Sequence, residues 1–272
     1  MAVVYKYHHA CFRPGNALVS SRRRLAVLGV AAYAMAAYAS AHKELRILAF
    51  GDSLTEGYYR VPSQQQPAFH PYTKRLQSLL HQNLPAPCKV VTEGVSGELV
   101  VPSMTQRLRA YLQRTQAAGQ QFHWVLIFGG TNDLGLGQEA ETIFNSLQQM
   151  YKAAHQHGAK VVAMTCMAPY LPEPGPPGEH AGTSLARHRL NTLIRNEVAK
   201  QQGGELYLFD CDKVLAPQRL GQQEAARCWS DALHLTPHGY DLFGHLLWNH
   251  VFQQQLHGSE AVGVLQPQDG HK

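Results

Sequence analysis

Apolar runs of strand length alternate with longer segments of helical periodicity from Glu44 onward, and this alternation limits the possible folds more than any other feature. Continuous Val, Ile and Leu runs are typical of strands that are buried on both faces, as in a parallel sheet flanked by helices. We therefore predict one α/β domain. The strand candidates are Leu45 to Phe50, Lys89 to Thr92, Trp124 to Phe128, Lys160 to Cys166 and Glu205 to Asp210. The helix candidates are 72–83, 103–117, 139–156, 184–201 and 237–254.

Residues 1–41 differ from the rest of the chain in charge, because they contain basic side chains and no acidic one. The remaining residues carry equal numbers of basic and acidic side chains. The positive net charge therefore belongs to the leader, and the body has no general excess of basic residues of the kind that binds nucleic acid. We predict no nucleic-acid partner.

The leader also contains an apolar stretch, Leu25 to Ala39, that is shorter than the ~20 residues of a membrane-spanning helix. A basic flank, this stretch and the small residues Ala39-Ser40-Ala41 are typical of a cleavable export signal. Ser21 to Leu25 loosely resembles a twin-arginine signal. An organellar transit peptide, an uncleaved anchor or a misassigned start codon are the alternatives. We expect export, with an organelle as the second possibility, and no stable membrane span in the mature domain.

The boundaries that follow are 1–41 for the leader, 42–258 for the domain and 259–272 for a polar tail that we expect to be disordered. Tyr170 to Thr183 is rich in proline and glycine and is predicted to be a loop after the fourth strand, either a substrate rim or lid or a simple connector. Cys88, Cys166, Cys211 and Cys228 lie in the body, and packing explains such cysteines without a disulfide. The sequence does not indicate an oligomeric state.

Polar residues with catalytic potential follow the apolar runs. Ser53 comes three residues after the first run, Gly94 two after the second and Asn132 four after the third, while Asp231 and His234 precede the last helix. Ligands bind open parallel sheets outside the carboxyl ends of the strands, so these residues are expected to meet there. Each alone has an ordinary explanation as a helix cap or a turn residue.

Together, these residues supply the parts of a serine nucleophile. A serine hydroxyl needs a base to accept its proton, an imidazole is suited to that task, and a carboxylate orients the imidazole. Asp231 and His234 are close enough in sequence to meet across one turn. Thr236 and Pro237 are a favourable N-cap and first-turn pair, which places His234 just before a helix.

The chain resembles the SGNH (GDSL-type) hydrolases over roughly 45–250. Four blocks carry the resemblance in the family's order: Gly51-Asp52-Ser53-Leu54-Thr55-Glu56-Gly57-Tyr58, Gly94-Val95-Ser96-Gly97-Glu98, Gly130-Thr131-Asn132-Asp133 and Asp231-Ala232-Leu233-His234. The resemblance implies a three-layer α/β/α, flavodoxin-like fold with a five-stranded parallel sheet, and ester hydrolysis without a metal or cofactor.

The resemblance also implies a role for each site residue. Ser53 corresponds to the nucleophile, His234 to the base and Asp231 to its orienting partner. The backbone N–H groups of Ser53 and Gly94 and the side-chain amide of Asn132 correspond to the oxyanion hole. The substrate is then a small acyl ester, a lipid ester or an acetylated glycan.

Three further sequence features bear on these roles. Asp52 and Asp133 match the family motif, but we interpret them as structural because aspartate commonly bonds nearby backbone. Thr92 stands where the family often has asparagine, so the hydrogen bonds that support the Gly94 loop are expected to differ.

A metal site and a non-catalytic binding protein are the two alternatives to a serine ester hydrolase. His234 and His238 have the i, i+4 spacing of helical metal ligands, but Pro237 between them favours a helix that begins after His234. No paired cysteine and histidine spacing indicates a zinc site either. The other alternative is a catalytically inactive member of the fold that binds an acylated glycan or lipid.

Overall fold

The computed structural model describes residues 44–61, 66–171, 181–201 and 204–257. The leader and the polar tail of the sequence prediction lie outside these residues, as does most of the predicted loop after the fourth strand.

Seven strands form two sheets in the described part of the chain. In chain order they are β1 (Leu45–Gly51), β2 (Tyr58–Tyr59), β3 (Ala68–Phe69), β4 (Cys88–Gly94), β5 (Trp124–Phe128), β6 (Lys160–Met164) and β7 (Leu206–Phe209). The large sheet is parallel throughout and has the order β4-β1-β5-β6-β7, while β2 and β3 form a short antiparallel pair. This is the flavodoxin-type order, in which the connection reverses direction between β1 and β5 and opens a crevice there.

Helices cover both faces of the large sheet. They are α1 (Ser53–Glu56), α2 (Thr73–Asn83), α3 (Thr105–Ala117), α4 (Thr131–Gly135), α5 (Ala140–Gln156), α6 (Ala181–Lys200), α7 (Cys211–Val214), α8 (Pro217–Leu220), α9 (Gln222–Cys228), α10 (Pro237–Leu247) and α11 (Gln253–His257). Wider helical turns at Val100–Met104 and Trp248–Phe252 lead into α3 and join α10 to α11. None of the helices in these ranges is long and apolar enough to cross a membrane.

Alternate residues of β1 show why the sheet is buried on both sides. Ile47 and Ala49 belong to the core that includes α2 and α10, whereas Leu48 and Phe50 belong to the core that includes α3, α5 and α6. All four side chains are fully buried. The predicted three-layer α/β/α fold is confirmed.

Some predicted boundaries are wrong by a few residues. The predicted loop extends to Thr183, but α6 already begins at Ala181, because Ala181 and the residues after it contain no further proline to prevent helix formation. The fourth strand ends at Met164 and leaves Cys166 outside it. The four body cysteines are buried free thiols, Cys88, Cys166, Cys211 and Cys228.

Candidate active site

The serine at the end of β1 is held on a sharp strand-to-helix turn. Asp52 caps α1 by accepting a hydrogen bond from the backbone N–H of Leu54 (3.0 Å), so Ser53 is the first helical residue. A Cβ atom on Gly51 would lie 2.3 Å from the carbonyl oxygen of Phe128 on β5, and glycine is therefore required there. The tight turn places the Ser53 side chain at the carboxyl edge of the sheet.

His234 and Asp231 complete a hydrogen-bonded chain with this serine. The Ser53 Oγ lies 3.1 Å from His234 Nε2, and His234 Nδ1 lies 2.9 Å from Asp231 Oδ2. A carboxylate only accepts, so Nδ1 carries the proton and Nε2 is left to accept from the serine hydroxyl. The structure thus brings together the three residues that the sequence predicts, although Ser53 and His234 are 181 positions apart.

The turn that carries Asp231 also stabilises its charge. Burial acts to raise the pKa of Asp231, but hydrogen bonds from the backbone N–H groups of His234 and Leu233 and from the His234 ring hold it below its ordinary value. The two backbone bonds are 2.7 and 2.8 Å long. The helix α10 begins at Pro237 with Thr236 as its cap, as predicted, so His234 precedes the helix.

Tyr58 is a neighbour of the histidine to which sequence reasoning gave no role. Its ring centroid lies 4.6 Å from that of His234 at an interplanar angle of 50°. The hydroxyl of Tyr240 donates to the Tyr58 carbonyl oxygen (2.8 Å), which fixes this part of the chain against α10. The aromatic contact limits the movement of the imidazole. The one sequence signal for it is that Tyr58 is the last residue of the motif block that contains Ser53.

The predicted oxyanion donors lie at the ends of three adjacent strands. Ser53 follows β1, Gly94 ends β4 and Asn132 lies in α4 after β5. The Asn132 Nδ2 donates one hydrogen bond to the Glu98 carbonyl oxygen (2.9 Å), and a primary amide has a second N–H to offer. A Cβ atom on Gly94 would lie 2.2 Å from the backbone nitrogen of Glu56, so α1 packs directly on this backbone.

The two remaining motif aspartates contact backbone groups. Asp52 caps α1, while Asp133 accepts from the N–H groups of Val100 (2.9 Å) and Val101 (3.0 Å). The prediction of a nearby backbone partner fits Asp52, but Asp133 joins two segments that are distant in sequence. Thr92 bonds the Thr73 hydroxyl (2.7 Å) and so links β4 to the start of α2.

A model of the GDSL-like lipase/acylhydrolase family matches residues 49–242 of this sequence. The chain belongs to this family. Membership identifies it as a carboxylic ester hydrolase of the GDSL type. A comparison with curated proteins finds no match.

Solved structures of GDSL-type proteins and other esterases share the fold. An aryl esterase of M. smegmatis is 20% identical with a TM-score of 0.57. The carbohydrate acetylesterase Est24 from Sinorhizobium meliloti is 19% identical with a TM-score of 0.56, and a G-D-S-L family lipolytic protein from Veillonella parvula DSM 2008 is 18% identical with a TM-score of 0.59. In each pair the alignment covers 77% of this chain and 99% of the other. At these identities the likeness shows the fold alone.

One arginine of this GDSL-type chain connects the segments that carry the proposed oxyanion donors. The Arg107 guanidinium pairs with the Glu98 carboxylate (2.6 Å) and donates to the carbonyl oxygens of Gly51 (3.1 Å) and Glu93 (3.4 Å). It also lies 3.8 Å from the centroid of the Phe50 ring. Gly51 lies two residues before Ser53, Glu93 lies directly before Gly94, and the Glu98 carbonyl oxygen accepts from the Asn132 side chain.

Replacing Arg107 by methionine is expected to lower kcat by up to about 100-fold with little change in KM, because a displacement of about 1 Å at a reacting group has effects of this size. Lysine at this position should recover only part of the activity, since it lacks the planar fork. Steady-state kinetics measure kcat and KM of both variants. Arg109→Met on the same helix, where the side chain bonds Gln149 at the surface, is the control. If Arg107→Met has the same kcat as the parent, Arg107 does not position the oxyanion donors.

Burial raises the pKa of Asp52 to about 7, with a further contribution from the charge of Asp133. The pKa of Asp52 is therefore higher in the folded state than the ordinary value of 3.8, and protonated Asp52 favours folding. This stabilisation is complete below pH 3.8 and is lost as the pH rises through about 7. Asp52→Asn keeps the cap and removes the charge, so its free energy of unfolding is expected to fall less than the parent's between pH 5 and 8. Denaturant unfolding at both pH values measures the difference. An equal change in the free energy of unfolding between the two pH values in parent and variant would show that Asp52 does not titrate in this range.

An apolar cavity of about 260 Å³ lies beside the triad of this GDSL-type protein. It reaches the site at two points, since Thr131 precedes Asn132 and Leu233 precedes His234. Its exposed wall is mostly apolar, and Arg187 is the one charged side chain among the described residues that line it. The lining residues are Thr131, Leu134, Gly135, Cys166, Met167, Pro169, Leu171, Thr183, Ser184, Arg187, Ala232 and Leu233.

Proposed function

We propose that this GDSL-family protein hydrolyses short aliphatic acyl esters through a Ser53-His234-Asp231 triad. The observation that carries the proposal is the hydrogen-bonded chain from Ser53 Oγ through the two nitrogens of His234 to Asp231, at 3.1 and 2.9 Å. This is the arrangement that allows a serine hydroxyl to lose its proton as it attacks a carbonyl.

The reaction proceeds in two steps. Ser53 Oγ attacks the ester carbonyl while His234 Nε2 takes the hydroxyl proton, and that proton then passes to the leaving alcohol. Water, deprotonated by His234, then attacks the acyl enzyme; the bond to Ser53 Oγ breaks, the acid leaves, and His234 returns the proton to Ser53 Oγ. Asp231 stabilises the imidazolium in both steps, and the N–H groups of Ser53, Gly94 and Asn132 bind the negative oxygen of each tetrahedral intermediate.

Replacing Asn132 by alanine is expected to lower kcat by about 100- to 1000-fold, because one donor to the developing oxyanion is lost. Asn145→Ala on the exposed face of α5 is a control with the same chemical change. The measurement is kcat on a nitrophenyl ester, with circular dichroism to check the fold. Turnover within about threefold of the parent would remove Asn132 from the mechanism.

The apolar cavity is the observation that favours substrates with an acyl chain longer than acetyl. Each buried methylene contributes about 0.8 kcal/mol, or roughly fourfold in kcat/KM. The cavity volume is slightly below the usual ~300–1,000 Å³ of small-molecule sites, which favours a short chain over a fatty acid. Est24 is a carbohydrate acetylesterase, and an acetylated glycan is the second candidate substrate for this chain.

A variant that fills the cavity tests this substrate class. A Cβ atom on Gly135 would meet nothing within 4 Å, so Gly135→Leu adds volume to the cavity without a clash. We expect kcat/KM to fall at least tenfold for the butyrate and hexanoate nitrophenyl esters and less than threefold for the acetate.

Gly182→Leu is the matched control, because Gly182 is also helical with open space around its Cβ position and does not line this cavity. Its activity should equal that of the parent on every ester. Two results would contradict the proposal: a parent that prefers acetate, which supports a deacetylase, or equal losses on all esters in Gly135→Leu.

A further inference from the structure

Three potential metal ligands converge where α9 meets the start of α10. Glu224 Oε1 lies 2.6 Å from His238 Nε2 and 3.9 Å from Cys228 Sγ. One ligand atom from each of the three side chains lies within 4.8 Å of the other two. Carboxylate oxygen, thiolate sulfur and imidazole nitrogen are the donor types that bind Zn²⁺ in proteins.

The backbone around this cluster is already fixed. Glu224 and Cys228 are one turn apart on α9, and His238 lies in the first turn of α10. The backbone N–H of Thr236 donates to the Cys228 carbonyl oxygen (2.8 Å), and a Cβ atom on Gly239 would lie 2.2 Å from that same oxygen. The two helices therefore meet backbone to backbone, and little ordering is needed for a metal to bind.

We propose that Glu224, Cys228 and His238 form a Zn²⁺ site. The Cys228 thiol is buried, while the side chains of His238 and Glu224 are 44% and 33% exposed. The exposed side gives the ion a route from solvent and leaves the fourth tetrahedral position to water.

Binding requires only small changes in the existing contacts. Glu224 Oε2 keeps its ion pair with Arg227 (3.1 Å), and Oε1 exchanges its hydrogen bond with His238 for the metal. His238 Nε2 supplies its lone pair with the ring proton on Nδ1. The Cys228 thiol releases its proton to solvent as the Zn–S bond forms, so one proton is released for each ion bound.

The proposed Zn²⁺ ligands lie at the two ends of the loop that carries the triad residues Asp231 and His234. Cys228 and His238 flank the segment 229–237, which carries Asp231 and His234. A metal ion bound to both residues joins the two ends of this segment. Zn²⁺ therefore stabilises the loop that the proposed triad depends on, whether or not the protein hydrolyses esters.

Zn²⁺ titration of the full chain, followed by calorimetry and by thermal unfolding, tests the site. We expect one equivalent to bind and Tm to rise by roughly 5 to 10 °C at 100-fold excess over Kd. His238→Gln is an exposed change that leaves the fold intact, and it should weaken binding at least tenfold. Cys228→Ser should do the same and should also abolish the thiolate-to-metal charge-transfer absorption of the Co²⁺-loaded protein.

Two variants outside the cluster serve as controls: Cys88→Ser changes another buried thiol and His155→Gln another accessible imidazole, and both should bind like the parent. The proposal is overturned if the parent binds no Zn²⁺, or if His238→Gln and Cys228→Ser bind as tightly as the controls. Ester hydrolysis by the metal-free protein is measured separately, so failure of the zinc site and failure of the proposed hydrolase are distinguishable.

Discussion

Ser53→Ala is expected to lower ester hydrolysis by a factor on the order of 10⁶, because loss of the nucleophile removes the whole covalent route. The residual rate would come from the remaining oxyanion donors and substrate binding. The variant should fold, since His234 Nε2 is the one hydrogen-bond partner of Ser53 Oγ within the described part of the chain, and alanine is a good helix former.

A serine-directed phosphonate probe gives this prediction a direct readout. The parent should be labelled at Ser53, and the label should vanish in Ser53→Ala. Ser184→Ala is the control, because Ser184 lines the neighbouring cavity and should leave the label intact. Labelling that persists in Ser53→Ala would place the nucleophile elsewhere, and a folded parent that takes no label would support the inactive binding protein.

Asp231→Asn is the second large effect, with an expected loss of about 10⁴ in kcat. The amide oxygen of asparagine can still accept from the backbone N–H groups of Leu233 and His234, so the turn is preserved. The amide N–H₂ group would then face His234 Nδ1 and favour the tautomer that carries its proton on Nε2. That tautomer cannot accept the proton of Ser53.

A second aspartate and histidine pair in this protein provides the control. Asp241 Oδ1 lies 2.8 Å from His70 Nε2 in a partly exposed ion pair. Asp241→Asn makes the same chemical change and should leave kcat within about twofold of the parent, because surface pairs contribute little. A similar kcat loss in both variants would indicate a general structural effect and remove Asp231 from the triad.

Local patterns were sufficient to predict most of the sheet. Trp124–Phe128 is the same in the prediction and in the structure, because a run of five apolar residues is shorter than a typical helix and is typical of a strand covered on both faces. The short antiparallel pair Tyr58–Tyr59 and Ala68–Phe69 was not predicted, since two residues are too few to show a period. The order of the strands came only from the resemblance to the family.

Chemistry that depends on contacts between distant elements was also beyond the sequence patterns. Ser53, Asn132 and His234 were predicted because each lies in a short motif next to a strand or helix end. Arg107 lies in an ordinary helical segment, and its four partners belong to other parts of the chain. The Zn²⁺ cluster likewise combines residues of two helices whose packing has no signature in residue spacing.

The contact between Gly94 and α1 has a consequence for the entropy of catalysis. Because the backbone of Gly94 rests on the backbone of Glu56, no side-chain rotation separates the two main-chain donors of the proposed oxyanion hole. A long side chain loses up to about 2 kcal/mol of rotamer entropy when it is ordered, whereas a backbone N–H in a folded strand loses none at the moment of reaction. Most of this ordering cost is therefore met once, when the chain folds, and not again in each turnover.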